Sequence, residues 1–390
     1  MTTLSGRLDL RSIFLVIVTA ATSLNTCSFA ADKEMLESTL DELRVTGGAP
    51  WGVTIPGIAA AVAHGPPGSL EITTAVSGVA TPSETPLSSK SRFHVGSVTK
   101  TFTAALIMQL DQSGDLSLTD PISRWLEYPG GESIKVEMLL GHTSGLPDFS
   151  ELPEHCRTHT PHQSIALAAT ATPLFQPGTA WSYCNTNYIM LGVIAEKVTG
   201  TSWSQEIQSR FIERLGLEDT TIWNGHPLPN TVPGSRLKCG MKGEPDCVKK
   251  PGFEIVPVTD GQDWKVAWSA GAMVSTPADL ALWIHELVNG ELLDAAHRAL
   301  MTTPTPQSRV ALSTMPAFGK LKWTAAGLGL LQYEVDGLGT GWGHEGNING
   351  FVANVVSMSD GRQSIAVTSN FLQTDIFTVL GEVLTIRTNH

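Results

Sequence analysis

The sequence predicts an α/β fold of the α+β type, with one antiparallel sheet built from both ends of the chain and a mostly helical region inserted between them. Strand patterns occur near both termini, at residues 57–64, 70–79, 327–335 and 341–344. A hairpin follows and turns at Asp360-Gly361, a dipeptide typical of tight β-turns. Because strands pair with strands, these separated segments are expected to join in one sheet with helices on its faces.

Apolar residues at helical spacing predict the other elements. The expected helices span residues 32–44, 97–112, 134–142, 163–171, 185–200, 202–216, 275–290 and 374–388. Two of them carry explicit start signals. Ser202 and Gln205 form a capping box, and Thr276 is an N-cap followed by Pro277 at the first helical position.

The order of these elements divides the chain, whose 390 residues are enough for one large domain or two smaller ones. We expect a sheet domain formed by residues 31–120 and 265–390, and a mostly helical domain over residues 121–264. A Pro- and Gly-rich stretch at residues 224–262 is expected to be a long surface excursion of the helical domain.

The first 30 residues have the features of a secretory signal peptide. Arg7 and Arg11 precede a short apolar run, and Ser28 to Ala30 place small residues before a cleavage point at Ala31. The apolar run is too short to span a bilayer comfortably. We therefore expect a periplasmic or secreted protein with no stable membrane insertion after cleavage. Lipidation at Cys27 is disfavoured, because the small residue expected before such a cysteine is missing.

Export would keep the cysteines in an oxidising compartment. Cys239 and Cys247 flank a turn-rich loop and are expected to close a small disulfide ring. Cys156 and Cys184 are interpreted as free and buried.

The charge balance limits the classes of partner. The formal net charge is −12 and no stretch is strongly basic, which argues against nucleic acid and anionic membrane surfaces as ligands. The expected partner is a small-molecule or peptide substrate. The oligomeric state stays open.

Ser97 and Lys100 carry the first chemical signal. Three residues apart on a helix, their side chains share one face, with Cβ atoms roughly 5–6 Å apart. The first turn of a helix disfavours a cation, and burial would lower the lysine pKa further, so a neutral amine could take the serine proton. The alternative is an N-cap serine beside a solvated lysine. The same spacing recurs at Ser235 and Lys238, without helical periodicity.

Two later motifs support the chemical interpretation. Tyr183 and Asn185 stand between a Pro-Gly turn and a helix. His344, Glu345 and Gly346 stand at a strand edge, where glycines let a ligand approach the backbone.

Other candidate sites are weaker. Residues 155–162 contain three histidines and a cysteine, but Pro161 interrupts any helix there, so a zinc site is not expected. His285 falls one histidine short of the zinc-protease motif and is expected on a helix surface. His142 is interpreted as structural. No Gly-x-Ser-x-Gly elbow occurs, which argues against an α/β-hydrolase.

Five phrases together give a resemblance to a known family. They are, in order, "VGSVTKTFTA", "LLGHTSGLPD", "PGTAWSYCNTNYIMLG", "SAGAMVSTPADLA" and "GHEGNINGF". In this order they resemble the penicillin-recognising serine hydrolases: class C β-lactamases, soluble DD-carboxypeptidases and related esterases. The resemblance implies a serine β-lactamase/transpeptidase-like fold and an acyl-enzyme mechanism, and it implies no metal or other cofactor.

The resemblance also implies catalytic roles. Ser97 would be the acylated nucleophile, Lys100 would share or relay its proton, and Tyr183 would exchange protons between Ser97 and the leaving group. The backbone amides of Ser97 and Asn347 would form the oxyanion hole, worth roughly 10²–10³ in rate per donor.

The remaining site residues would bind substrate. Asn185 would donate its amide to the acyl-side carbonyl, and His344 occupies the position of the third motif's basic residue, followed by Gly346. Glu345 replaces a residue that is often threonine. A carboxylate there is acceptor-only and would disfavour substrates with a free carboxylate, unless Glu345 points out of the cleft.

The expected function is an exported serine hydrolase of the DD-carboxypeptidase/esterase type. One alternative is a class C β-lactamase, which is weakened because His344 stands where those enzymes usually carry lysine. The other is a penicillin-binding sensor that is acylated without turnover.

Overall fold

The computed structural model describes residues 32–46, 53–65, 70–80, 84–155, 160–226, 228–237, 254–258 and 262–386. The predicted signal peptide and the predicted Cys239–Cys247 disulfide lie outside these residues and stay predictions, and Cys156 lies outside them as well. The predicted domain boundaries at residues 120 and 264 also stay a prediction.

Strands from both ends of the chain form the central sheet. In chain order the strands are β1 (Gly57–His64), β2 (Glu71–Ala80), β3 (Thr85–Pro86), β4 (Phe93–His94), β5 (Thr221–Ile222), β6 (Ser235–Leu237), β7 (Ile255–Pro257), β8 (Met273–Ser275), β9 (Leu321–Ala326), β10 (Leu331–Val335), β11 (Gly339–Ile348), β12 (Phe351–Met358) and β13 (Gln363–Ser369). Eight of them pair in the order β3-β2-β1-β13-β12-β11-β10-β9, and each pair is antiparallel. The β1–β13 pairing joins the two ends of the chain, which confirms the predicted sheet.

The described residues also form helices. They are α1 (32–46), α2 (Thr99–Ser113), α3 (Val136–Leu140), α4 (Pro161–Ala168), α5 (Asn185–Thr199), α6 (Trp203–Ile207), α7 (Glu213–Leu215), α8 (Gln262–Gly271), α9 (Pro277–Val288), α10 (Ala295–Met301), α11 (Pro306–Leu312) and α12 (Ile376–Leu384). Short 3₁₀ turns occur at Gly96–Val98, Ile122–Arg124 and Phe149–Glu151. None of the described helices is long and apolar enough to cross a membrane.

Helices cover both faces of the sheet. Trp283 and Ile284 of α9 belong to the core on one face, and Leu380 of α12 and Leu40 of α1 belong to the core on the other. Strand β1 is alanine-rich and buried along nearly its whole length. Small residues there let helices approach the sheet closely from both sides.

The local start signals are confirmed. Thr276 accepts a hydrogen bond from the Asp279 backbone with Pro277 in the first turn, and the Ser202 capping box is formed. The predicted helix over residues 202–216 is interrupted, because residues 208–212 adopt a π-helical turn between α6 and α7.

Two other expectations are corrected or limited. His285 is not on a helix surface, since it is fully buried and its Nδ1 lies 3.1 Å from the Ser364 hydroxyl. Ser235 is also fully buried, and its hydroxyl donates to the Asn370 carbonyl at 2.6 Å. That hydroxyl therefore serves the fold, and Lys238 lies outside the described residues.

Helix α2 is the element that positions the site. It is buried on every face from Thr99 to Met108, polar side chains included, which is typical of a helix in the centre of a large core. The ring of Phe102 stacks on Trp283 with centroids 3.7 Å apart. The buried helix holds its N-terminus against Gly346 and Asn347 of strand β11.

Candidate active site

Ser97 stands in the tight turn that starts α2. Gly96 has a φ of +51°, and a Cβ at that position would lie 2.9 Å from the Asn347 backbone nitrogen. The turn thus needs glycine both for its backbone conformation and for its close approach to β11. This approach brings the Ser97 and Asn347 backbones to the same cavity.

Lys100 is completely buried beside Ser97. Its Nζ lies 2.9 Å from the Ser97 Oγ, 2.7 Å from the Asn185 Oδ1 and 2.8 Å from the Ala270 carbonyl oxygen. Burial lowers the pKa of this amine to about 7, partly opposed by negative charge at Asp148 and Glu345. The alternative interpretation of Lys100 as a solvated surface residue is wrong, because the side chain is 0% exposed.

Tyr183 completes the surroundings of the serine. Its hydroxyl faces Ser97, and its ring centroid lies 5.0 Å from the Lys100 Nζ. Burial raises the pKa of the phenol well above its usual value, so Tyr183 is protonated at neutral pH. In this arrangement it can donate a proton or exchange one with Ser97.

His142 supports Tyr183, a contact that sequence reasoning missed. Its ring centroid lies 4.5 Å from that of Tyr183, and its Nδ1 accepts a hydrogen bond from the Cys184 backbone at 3.1 Å. The residue has a φ of +56°, an uncommon backbone conformation outside glycine. Burial lowers the pKa of His142 well below its usual value, so the ring is neutral.

The free edge of β11 forms the opposite wall. Strand β10 pairs only with its first half, from Gly339 to Gly343, so the stretch from His344 to Ile348 faces α2 instead. A Cβ at Gly346 would lie 1.9 Å from the Val95 carbonyl oxygen and 3.1 Å from the Ser97 nitrogen. Only glycine fits there without displacing the serine turn.

His344 occupies the predicted position but is not cationic. Its ring centroid lies 6.0 Å from that of Tyr183, and its Nδ1 lies 2.5 Å from the Glu345 carbonyl oxygen. Burial, together with the nearby Lys100, lowers the pKa of His344 to about 3. The ring is therefore a neutral donor and acceptor, not the positive charge of a basic residue.

Glu345 is not brought together with Ser97. Side chains alternate along a strand, and His344 and Gly346 face the serine, so Glu345 lies on the opposite face. There its partner across the ladder is Asn354 of β12, whose side-chain oxygen accepts a hydrogen bond from the Tyr333 hydroxyl at 2.9 Å. Burial raises the pKa of its carboxyl to about 7. This position favours the alternative in which the carboxylate does not contact substrate directly.

Asn185 also differs from expectation. It is the first residue of α5, and its side-chain nitrogen donates to the Asp148 carboxylate at 3.0 Å and to the Ser150 hydroxyl at 3.1 Å. Both N–H groups of the amide are therefore used within the protein. Donation to a substrate carbonyl would require one of these bonds to be exchanged.

A cavity of about 220 Å³ opens beside the serine. Its lining residues are apolar or uncharged-polar apart from one histidine, and they are Gly96, Ser97, Phe149, Ser150, His155, Asn185, Val266, Ala267, Ala270, Gly271, Asn347 and Ile348. None of these described lining residues is lysine, arginine, aspartate or glutamate. The cavity suits an uncharged acyl group.

Comparison with known proteins identifies the family. The family model described as Beta-lactamase matches residues 48–380, which is most of the chain. This chain belongs to the Beta-lactamase family. Its fold is that of the family, and the family assignment makes it a serine hydrolase.

Two curated relatives of this Beta-lactamase family member are named penicillin-binding proteins. It is 31% identical over 153 residues to penicillin-binding protein 4* of Bacillus subtilis, covering 38% of this chain and 34% of that protein. It is 27% identical over 310 residues to penicillin-binding protein 4 of Amycolatopsis lactamdurans, covering 76% and 78%. The match thus spans only about a third of the first relative's length.

Solved structures extend the comparison. A D-stereospecific amidohydrolase from Streptomyces sp. is 27% identical, with a TM-score of 0.71 over 91% of this chain and 98% of that one. A D-amino acid amidase from Ochrobactrum anthropi is 24% identical, with a TM-score of 0.77 over the same shares. The second likeness shows the fold alone.

The sequence also raised the questions of a metal site and of free cysteines in this Beta-lactamase family chain. Within the described ranges, no group of three or more His, Cys, Asp or Glu side chains is placed to hold a metal ion. Cys156 and His159 of the predicted histidine-rich segment lie outside those ranges. Cys184 is free and buried, as predicted, and burial raises the pKa of its thiol to about 12.

The residues that sequence reasoning missed are Asp148 and Ser150. Asp148 caps the 3₁₀ turn Phe149–Glu151 by accepting from the Ser150 backbone. A cap signal was present, because Asp before a short turn is a common start residue. Its contact with Asn185, 37 residues away, has no local signal.

Proposed function

We propose that this chain is an exported serine hydrolase that cleaves amides or esters through an acyl-enzyme formed on Ser97. The observation that carries the proposal is the 2.9 Å contact between the Ser97 hydroxyl and the buried Lys100 amine, whose pKa is about 7. Half of such amines are neutral at pH 7, and a neutral amine can accept the serine proton. A solvated lysine, with a pKa near 10.4, would do so about a thousandfold less often.

The other residues then take consistent roles. The protonated Tyr183 phenol, which faces Ser97, relays a proton to the leaving group. The backbone amides of Ser97 and Asn347 border the cavity and stabilise the oxyanion. Asn185 holds Lys100 in place, and neutral His344 with Gly346 shapes the wall beside Tyr183.

The substrate class is of the DD-carboxypeptidase/esterase type, with a preference for groups that lack a free carboxylate. Three observations support this preference: a cavity lining without lysine or arginine, the neutral His344 ring and the negative charge available at Glu345. A neutral histidine cannot pair with a substrate carboxylate as a lysine would. The likeness to a protein named as a D-stereospecific amidohydrolase agrees with an amide substrate.

The function can be tested on the mature protein with five kinds of probe. They are a fluorescent penicillin, nitrocefin, short p-nitrophenyl esters, a D-Ala-D-Ala peptide and the amide of an apolar D-amino acid. Turnover and intact mass are followed together. We expect steady turnover of the ester or amide and a mass increase that disappears in Ser97→Ala. Efficient nitrocefin turnover supports a β-lactamase instead, and stoichiometric labelling without release supports a sensor. Undiminished ester turnover by Ser97→Ala contradicts the proposal.

A further inference from the structure

The Lys100 amine has three close neighbours that differ in chemistry. A neutral amine has two N–H groups and one lone pair, whereas a protonated amine has three N–H groups. The Ala270 carbonyl can only accept, and it lies 2.8 Å from the Nζ. The Ser97 hydroxyl can donate or accept. The direction of the lone pair therefore depends on whether Asn185 presents its oxygen or its nitrogen to the lysine.

Asp148 decides that orientation. Its Oδ2 accepts from the Asn185 side-chain nitrogen at 3.0 Å and from the Asn185 backbone nitrogen at 2.9 Å. A carboxylate has no hydrogen to donate, so the nitrogen side of the amide must face it. The oxygen side then faces Lys100, at 2.7 Å from the Nζ.

The second oxygen of Asp148 fixes the carboxylate itself. Its Oδ1 accepts from the Ser150 backbone at 2.9 Å and from the Ser150 hydroxyl at 2.8 Å. Ser150 in turn accepts from the Asn185 amide at 3.1 Å. Each oxygen of Asp148 therefore accepts two hydrogen bonds, and the carboxylate is held in one orientation.

We propose that Asp148 is a positioning residue that orients the Asn185 amide and thereby aims the lone pair of Lys100 at the Ser97 hydroxyl. With Asn185 and Ala270 both accepting, the two N–H groups of the neutral amine are used. The lone pair is left for the serine proton, as acylation requires. This inference rests on the proposed function, because it concerns how Lys100 acts as the base.

The variant Asp148→Asn separates this role from helix capping. Asparagine caps turns about as well as aspartate, so the 3₁₀ turn is kept. An asparagine at 148 that accepts from Ser150 presents its own NH₂ to Asn185, which favours a flipped Asn185 amide with a donor facing Lys100. We expect the pre-steady-state acylation rate with a p-nitrophenyl ester to fall about 10- to 100-fold, the scale of a misdirected catalytic group. KM should change by less than about threefold.

Two further readouts do not depend on rate. With ¹⁵N-labelled protein, both side-chain N–H protons of Asn185 should exchange slowly in the wild type and rapidly in Asp148→Asn. The acidic limb of the acylation profile should also move to lower pH, because the negative charge of Asp148 raises the pKa of Lys100. Loss of structure alone would not move it in that direction.

Asp375→Asn is the matched control. Asp375 caps the start of α12 as Asp148 caps its turn, accepting from the Thr378 backbone at 3.1 Å and from the Thr378 hydroxyl at 2.7 Å. It does not line the cavity, and we expect less than a threefold loss of acylation. Wild-type acylation and wild-type amide exchange in Asp148→Asn would overturn the positioning role. Acylation that survives in Ser97→Ala would instead overturn the proposed function, so the two failures are distinguishable.

Discussion

The amine nitrogen of Lys100 lies 2.9 Å from the hydroxyl oxygen of Ser97, and the lysine side chain has no exposed surface. The same burial that makes the cation unfavourable lowers the pKa of the amine to about 7. The position of Lys100 in the first turn of a buried helix is thus explained by the chemistry of a base. The lowered pKa of Lys100 should affect both the acylation rate and the free energy of unfolding.

The acylation rate should rise with pH and level off above a midpoint near pH 7. Below that pH Lys100 is protonated and cannot accept the serine proton, and above it the neutral amine dominates. Stopped-flow acylation by a neutral ester between pH 5 and pH 9 measures the midpoint. A neutral ester is needed so that substrate ionisation does not contribute. A flat profile across this range would contradict the role of Lys100.

Lys100→Arg should abolish acylation while the protein stays folded. A guanidinium has a pKa above about 12 and cannot act as a base at neutral pH. The measurement is intact mass after incubation with the ester, with circular dichroism as the folding control. Rapid acylation of this variant at neutral pH would refute the assignment.

Lys100→Met should change the pH dependence of stability. Between pH 7 and pH 10 the unfolded wild type binds a proton at Lys100 that the folded state does not, so its free energy of unfolding rises with pH. The rise amounts to on the order of 4 kcal/mol over that interval, and the methionine variant lacks it. Urea unfolding of both proteins at pH 7 and pH 9.5 measures the difference. Parallel changes in the two proteins would show that Lys100 is not desolvated.

Gly346→Ala should remove acylation and lower stability. The added Cβ would lie 1.9 Å from the Val95 carbonyl oxygen, so the backbone beside Ser97 must move. We expect a loss of about 100-fold or more in acylation and of about 1–3 kcal/mol in the free energy of unfolding. Gly381→Ala in α12, where the nearest atom is a side-chain carbon at 3.3 Å, is the control and should keep its activity. If both variants kept the same acylation rate and the same free energy of unfolding, the close contact between Gly346 and the Val95 carbonyl would be contradicted.

Glu345→Thr should improve carboxylate substrates more than neutral esters. The carboxylate lies on the far face of β11, so its repulsion acts over a longer range than a direct contact. For a separation on the order of 10 Å, Coulomb's law gives ~1.7 kcal/mol at an effective dielectric near 20. That corresponds to somewhat more than tenfold in kcat/KM. The comparison uses a D-Ala-D-Ala peptide and a p-nitrophenyl ester at pH 8, where Glu345 is mostly ionised. Unchanged selectivity would show that its charge does not reach the substrate.

Secreted material should begin at Ala31, because Ser28 and Ala30 supply the small residues that a signal peptidase requires. N-terminal sequencing of protein from the culture medium or periplasm checks this. Recovery of a lipid-modified Cys27 would contradict cleavage at Ala31.

Much of the fold was predictable because its signals are local. The hairpin at Asp360-Gly361 and the helix starts at Ser202 and Thr276 rest on turn and cap chemistry within a few residues. The strand β9 was missed, since its residues from Leu321 to Ala326 show no clear alternation and are held by pairing with β10. His285 was misplaced for a similar reason, because the sheet that buries it is distant in sequence.

By itself the sequence predicted that Ser97 and Lys100 lie close together at the start of a helix, that Tyr183 and His344 belong to the same site, and that the fold resembles that of the penicillin-recognising hydrolases. The helix itself begins two residues after Ser97, which lies in the preceding 3₁₀ turn. Only the tertiary structure decided the chemical state of these groups. A pKa and the direction of a hydrogen bond depend on what packs around a group. Lys100 is bonded to a carbonyl 170 residues away, and Asp148 reaches Asn185 across 37 residues. Residue spacing along the sequence contains no information about such contacts. The neutral state of His344, the position of Glu345 on the far face of β11 and the orientation of the Asn185 amide can therefore be read only from the folded chain.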